Sequence, residues 1–277
     1  MPLDQVKEDK EMTFIEHLDD LRKHLFRSAI YVFAGTIVCF IFAQFLVEDI
    51  IFAPAKDTFP TIKALCSLGH RIYGSDRLCL SSVELNAQNL NVAGQFLYSF
   101  RIAFIGGIIL AFPLIINQFW LFVKPALAAK DIKKTRMFTF YTSLLFMLGV
   151  LFGYYMLAPI SLNFFGNFKL SPTIQNNFSF QSVINLVTTL SLATGLIFQL
   201  PIIMYFVAVI GLIDSAFLKK NRRYAIIVIV ILAAVVTPPD VLSQFLLGVP
   251  LIVLYEIGIH IVKRVEKKAR KKLIENL

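Results

Sequence analysis

The sequence lacks the signatures of the common catalytic chemistries. There is no Gly-rich loop to cradle phosphate, no His-Glu-x-x-His to hold zinc and no Gly-x-Ser-x-Gly to present a nucleophile. The four histidines, His17, His24, His70 and His260, do not cluster with the three cysteines at metal-ligand spacing. These absences argue against an enzyme and against a resident metal or cofactor. Any work the protein does must then draw on an outside source such as an ion gradient. A cleavable leader is lacking too: the first apolar run is too long and no small-residue cleavage site follows it, so it reads as a retained anchor. No internal repeat recurs in register.

Positive charge is scarce on one side of the chain. Of the 27 Lys and Arg, all but six fall in four clusters. These are the N-terminal segment with Arg22, Lys23 and Arg27, the run 124–136, the run 219–223, and the tail from Lys263 to Lys272. Between the clusters lie six apolar stretches, at about 26–47, 96–123, 138–158, 183–213, 224–236 and 241–262. Such lengths read as membrane helices, because only a helix satisfies its own backbone in lipid. The expected fold is an all-α polytopic membrane protein of six transmembrane helices. The positive-inside rule puts both termini in the cytoplasm. The net charge of +9 is then explained by anionic headgroups, with no nucleic acid. One membrane domain, 1–277, covers the chain, with a cytoplasmic amphipathic helix at 1–25, a long exported loop at 48–93 and a basic tail at 263–277.

Several residues break the apolar pattern. Thr13 with Glu16 has capping-box form, so a helix is expected to start there. Phe14, Leu18, Leu21 and Leu25 form its apolar stripe, and Glu16, His17, Asp19, Asp20, Arg22 and Lys23 the other face, the pattern of a surface helix. Asp19 and Asp20 there, and Asp131 in the basic run 124–136, are carboxylates set where anionic lipid repels them. They serve either a cationic ligand or the quieting of Lys23 and Lys134. Cys66 and Cys79, on the oxidising side, form a disulfide or remain free thiols. Pro113 predicts a kink in the second span. The fourth stretch is too long for the ~30 Å hydrocarbon, and Pro201 bends it. Gln199 beside that proline either bonds the carbonyl it frees or docks a partner helix. The fifth stretch is short, and Thr237-Pro238-Pro239-Asp240 turns it sharply into the sixth, predicting a short hairpin close to the membrane. Glu256, ionisable within the last span, is a functional candidate or half of an ion pair, with Arg101 the other charge deep in a span.

Four segments, in order, resemble the TatC family, the multi-spanning component of the twin-arginine protein translocase. They are His17-Leu18-Asp19-Asp20-Leu21-Arg22-Lys23-His24-Leu25; Ala53-Pro54; Phe112-Pro113 with Gln118-Phe119-Trp120 and Pro125-Ala126-Leu127; and Thr237-Pro238-Pro239-Asp240-Val241-Leu242-Ser243-Gln244 with Pro250 and Tyr255-Glu256-Ile257-Gly258. The resemblance implies a receptor for twin-arginine signal peptides and a core subunit exporting folded proteins across the bacterial cytoplasmic membrane on the proton gradient. It implies TatA-type and TatB-type single-span partners and a homo-oligomer within a larger complex. The family's signal-reading acids, usually Glu, fall on Asp20 and Asp131, with His17 and Arg22 in the same motif. Its membrane-buried Glu falls on Gln199. The exported loop is longer than the family's, and its cysteines are outside the general pattern. A secondary transporter for a small solute, working through Glu256 and Arg101, is the alternative, but inverted repeats and paired broken helices are not evident. A membrane scaffold without a ligand is the third reading.

Overall fold

A computed structural model describes residues 14–73, 88–123, 132–171, 178–237 and 241–275. Helices account for nearly all of them: α1 (Phe14–Ile41), α2 (Ala43–Phe45), α3 (Pro60–Tyr73), α4 (Gly94–Val123), α5 (Ile132–Phe152), α6 (Ala158–Asn167), α7 (Phe180–Ile197), α8 (Leu200–Val209), α9 (Ser215–Lys220), α10 (Arg222–Val236) and α11 (Val241–Glu275). Among the described residues five segments are long and apolar enough to cross a membrane: Ile15–Ile41, Gly94–Val123, Met137–Asn167, Phe180–Val209 and Leu242–Lys268. The expected fifth span, α10, has 15 residues, ~22 Å of helix, and falls short of that length. Its partner α11 has 35 residues and runs through Pro250 into the basic tail, so only one arm of the expected hairpin is short. The turn between them, Pro238, Pro239 and Asp240, lies outside the described residues.

The N-terminal surface helix and the first span are one continuous helix, α1, rather than two elements. It begins at Phe14, where the Thr13 and Glu16 pattern placed it. Its stripe of Leu18, Leu21 and Leu25 stays exposed, as a lipid-facing surface does in a protein viewed without its bilayer. The second span, α4, runs unbroken through Pro113. The third is longer than its apolar stretch: α5 passes through a π turn at Gly153–Leu157 into α6. The fourth breaks at Phe198 and Gln199, with Pro201 in the first turn of α8, a place where its missing N–H costs nothing.

Small residues let these helices approach. A Cβ on Gly107 of α4 would lie 2.6 Å from the backbone N of Thr36 on α1. One on Gly149 of α5 would lie 2.8 Å from Cα of Gly195 on α7. Hydrogen bonds add to this packing: Thr194 Oγ1 donates to the Gly149 carbonyl at 2.9 Å, and Ser161 and Ser243 hydroxyls meet at 2.9 Å, both buried. Lipid offers apolar surface as good as a leucine, so close backbone approach and polar pairs must hold membrane helices together. At the end opposite the basic clusters, the Gln88 and Ser179 segments form a parallel bridge, and Tyr154 donates to the Ile50 carbonyl at 2.8 Å.

Candidate functional site

Contacts bring the start of α1, the end of α4, the start of α5 and the end of α8 together at one end of the bundle. The start of α1 meets the end of α4: His17 stacks on Phe122 at 4.5 Å, and His24 Nδ1 lies 2.7 Å from Gln118 Oε1. Next to them, Trp120 stacks on Phe138 of α5 at 4.2 Å and leans on Phe206 of α8. Trp120 is buried, and its Nε1–H has no partner among the described residues. Tyr205 of α8 and Arg264 of α11 line one cavity beyond it.

On this end the carboxylates of Asp19 and Asp20 share one ammonium. Lys23 Nζ lies 3.0 Å from Asp19 and 3.5 Å from Asp20, one helical turn along α1. The carboxylates remain 58% and 39% exposed, so the pairing quiets them without hiding them. Solvent screens exposed pairs of this kind, which leaves a better cation free to displace Lys23. Arg22 is exposed beside them. Asp131, the second expected acid, lies outside the described residues. The histidines, in contrast, face inward and fix the helix that carries the acids.

The other expected site residues make no contact with these acids. Gln199 is buried, and Nε2 donates to the Thr142 carbonyl on α5 at 3.3 Å. It therefore does not cap the carbonyl freed by Pro201. Its Oε1 has no partner among the described residues. Glu256 accepts from Arg222 at 2.8 Å, with the pair about half exposed. Arg101 instead sits over the Tyr98 ring at 5.9 Å, so the two deepest charges are not brought together. Cys66 is disulfide-bonded and Cys39 is free and buried; Cys79 lies outside the described residues. Among the described residues no three His, Cys, Asp or Glu are grouped to hold a metal.

One tie was missed by sequence reasoning. Glu266 accepts from both the backbone N–H and the hydroxyl of Ser215, the latter at 2.6 Å. That fastens the turn before α9, where Asp214 caps the helix by accepting from the Phe217 N–H. The signal was available: Glu266 is a lone acid inside the basic run 263–272, as Asp131 is inside its own.

With this geometry in place, similarity to known proteins is informative. Residues 16–250 match the family described as Sec-independent protein translocase protein (TatC). The chain is 38% identical over 264 residues to the Sec-independent protein translocase protein TatC of Blattabacterium sp. subsp. Periplaneta americana, covering 94% of this chain and 98% of that one. It is 33% identical to TatCy of Bacillus subtilis, covering 94% and 92%. The crystal structure of the twin arginine translocase receptor TatC in DDM superposes with a TM-score of 0.70 at 30% identity, covering 90% of this chain and all of that one.

Proposed function

The chain belongs to the TatC family of Sec-independent protein translocase components, and from that premise we propose that its basic end receives signal peptides carrying paired arginines. The observation that carries this reading is the exposed Asp19 and Asp20 pair, held by one weak lysine contact on a helix fixed to α4 by His17 and His24. An arginine presents a planar fork that a carboxylate accepts with two parallel bonds, which the single ammonium of Lys23 cannot do. Asp20 takes one guanidinium and Asp131 the other, with Arg22 and His17 shaping the site between them.

The rest of the proposal follows from position. The chain has six spans with both termini in the cytoplasm and sits in the bacterial inner membrane. TatA-type and TatB-type helices dock at Gln199 and Pro201. Copies of the chain assemble with them, and the proton gradient drives folded cargo across. Cys66 pairs with Cys79, and the Pro238, Pro239 and Asp240 turn stays near the membrane surface. The solute-transporter alternative loses its site, because Glu256 pairs with Arg222 rather than Arg101. A photo-crosslinker at position 20, on chains reconstituted in vesicles, separates the two. Crosslinks to a twin-arginine peptide, without solute uptake, are expected; uptake without crosslinks overturns the proposal.

A further inference from the structure

We propose that the chain holds one anionic phospholipid in a groove formed by α5, α8 and α11, with its phosphate on Arg264 and Lys268. Two adjoining cavities carry this. The first, of about 350 Å³, is apolar and is walled by Leu144 and Leu148 of α5, Ile202 of α8, and Leu254 and Ile257 of α11. The second, of about 310 Å³, is lined by Tyr205, Ile261, Arg264, Val265 and Lys268. Tyr205 and Ile261 line both, so the two adjoin and follow one another along α11.

The groove changes character along a single face of α11. Leu254, Ile257, Ile261, Arg264 and Lys268 recur at spacings of three and four, which puts them in one stripe. The stripe is apolar for its first ~10 Å and cationic for its last ~10 Å, at 1.5 Å per residue. That is the order of a phospholipid, acyl chains followed by an anionic headgroup. Arg264 and Lys268 have no ion-pair partner among the described residues. The neighbouring acids are engaged elsewhere, Glu266 with Ser215 and Glu256 with Arg222. A tyrosine at the junction, Tyr205, suits the boundary between hydrocarbon and headgroups.

Charge complementarity selects the occupant. A partner's membrane helix would fill the apolar part but leave both cations unmatched, whereas phosphatidylglycerol matches both parts. Pro201 lines the deep end of the groove, where the proposed helix docking begins. The lipid claim is independent of that reading and is tested on the chain without partners.

The test is lipid retention by the full-length chain, purified alone and titrated in detergent with phosphatidylglycerol or phosphatidylcholine, with bound lipid counted by native mass spectrometry. One phosphatidylglycerol per chain should bind more tightly than phosphatidylcholine. The double variant Arg264→Gln/Lys268→Gln should weaken it roughly 30-fold, from two cation contacts near the headgroup. Lys219→Gln/Lys220→Gln removes the same charge at the same end and should leave it unchanged. Ile202→Trp, which fills the groove but spares both cations, should also weaken retention. Equal binding of both lipids, equal loss in both charge variants, or no lipid retained at all would each overturn the proposal.

Discussion

Gly107→Ala tests the packing that holds the acid-bearing helix in place. The added Cβ would lie 2.6 Å from both the N and the Oγ1 of Thr36 and 2.9 Å from its Cα. Two of those atoms are backbone, so no rotamer change relieves the clash and α1 must move away from α4. Overpacking of this kind costs ~1–3 kcal/mol. Alanine also favours a helix over glycine by ~0.8–1 kcal/mol, which works the other way. Gly248→Ala separates the two effects. It too lies within a helix, but a Cβ there meets nothing within 4 Å. The propensity gain is common to both variants, so the difference between them isolates the seam. In thermal denaturation followed by size-exclusion chromatography, Gly107→Ala should melt below the unmutated chain and Gly248→Ala at or above it. Because His17 and His24 hold α1 to the end of α4, Gly107→Ala should also weaken signal-peptide binding with both acids intact. Equal melting of the two alanine variants would refute the close-approach argument.

Three further outcomes are expected. Gln199→Leu removes the bond to the Thr142 carbonyl and the free acceptor, and should reduce co-purification of TatA-type or TatB-type partners modestly, since such bonds average ~0.6 kcal/mol and reach ~1–2 in model peptides; unchanged co-purification counts against docking there. Mass spectrometry of a non-reduced digest should find Cys66 joined to Cys79, a closure worth ~3 kcal/mol in the chain-entropy model; alkylatable thiols at both positions end that claim. Glu266→Gln leaves an amide, one of whose groups cannot accept from Ser215, so the 213–221 turn should exchange amide hydrogens faster while the rest of the bundle does not; unchanged exchange there means the Ser215 contact does not hold the turn.

The apolar runs were legible because burial in lipid requires them, and the break at Gln199 because proline cannot donate a hydrogen bond. The continuity of α1 was not: Arg22, Lys23 and Arg27 suggest an interface crossing, yet charge alone does not end a helix. The third span's extension to Asn167 was hidden by the Pro159 and Gly153 that usually mark an end, here absorbed by a π turn and a helix start. Partner choice was least legible. Periodicity assigns a residue to a face but does not name what faces it, so Arg101 was the natural mate for Glu256, while the fold brings Arg222 to it across the α10 and α11 pair. The acids of α1 were recognised as out of place, but their sharing of Lys23 at three and four residues' spacing was one of two readings the sequence left open.

The central claim is that Asp20 and Asp131 read paired arginines, and a binding titration tests it most directly. Peptides with Arg-Arg and with Lys-Lys are titrated against the unmutated chain, Asp20→Ala and Asp131→Ala. Hydrogen bonds to charged groups are worth ~1.5–3 kcal/mol, and each 1.4 kcal/mol is tenfold in affinity. Each substitution should therefore weaken the Arg-Arg peptide by about one to two orders of magnitude. The Lys-Lys peptide should bind weakly to the unmutated chain and scarcely respond to either change. If both variants bind both peptides with the unmutated affinity, the carboxylates only balance Lys23 and its neighbours, and the receptor assignment is wrong.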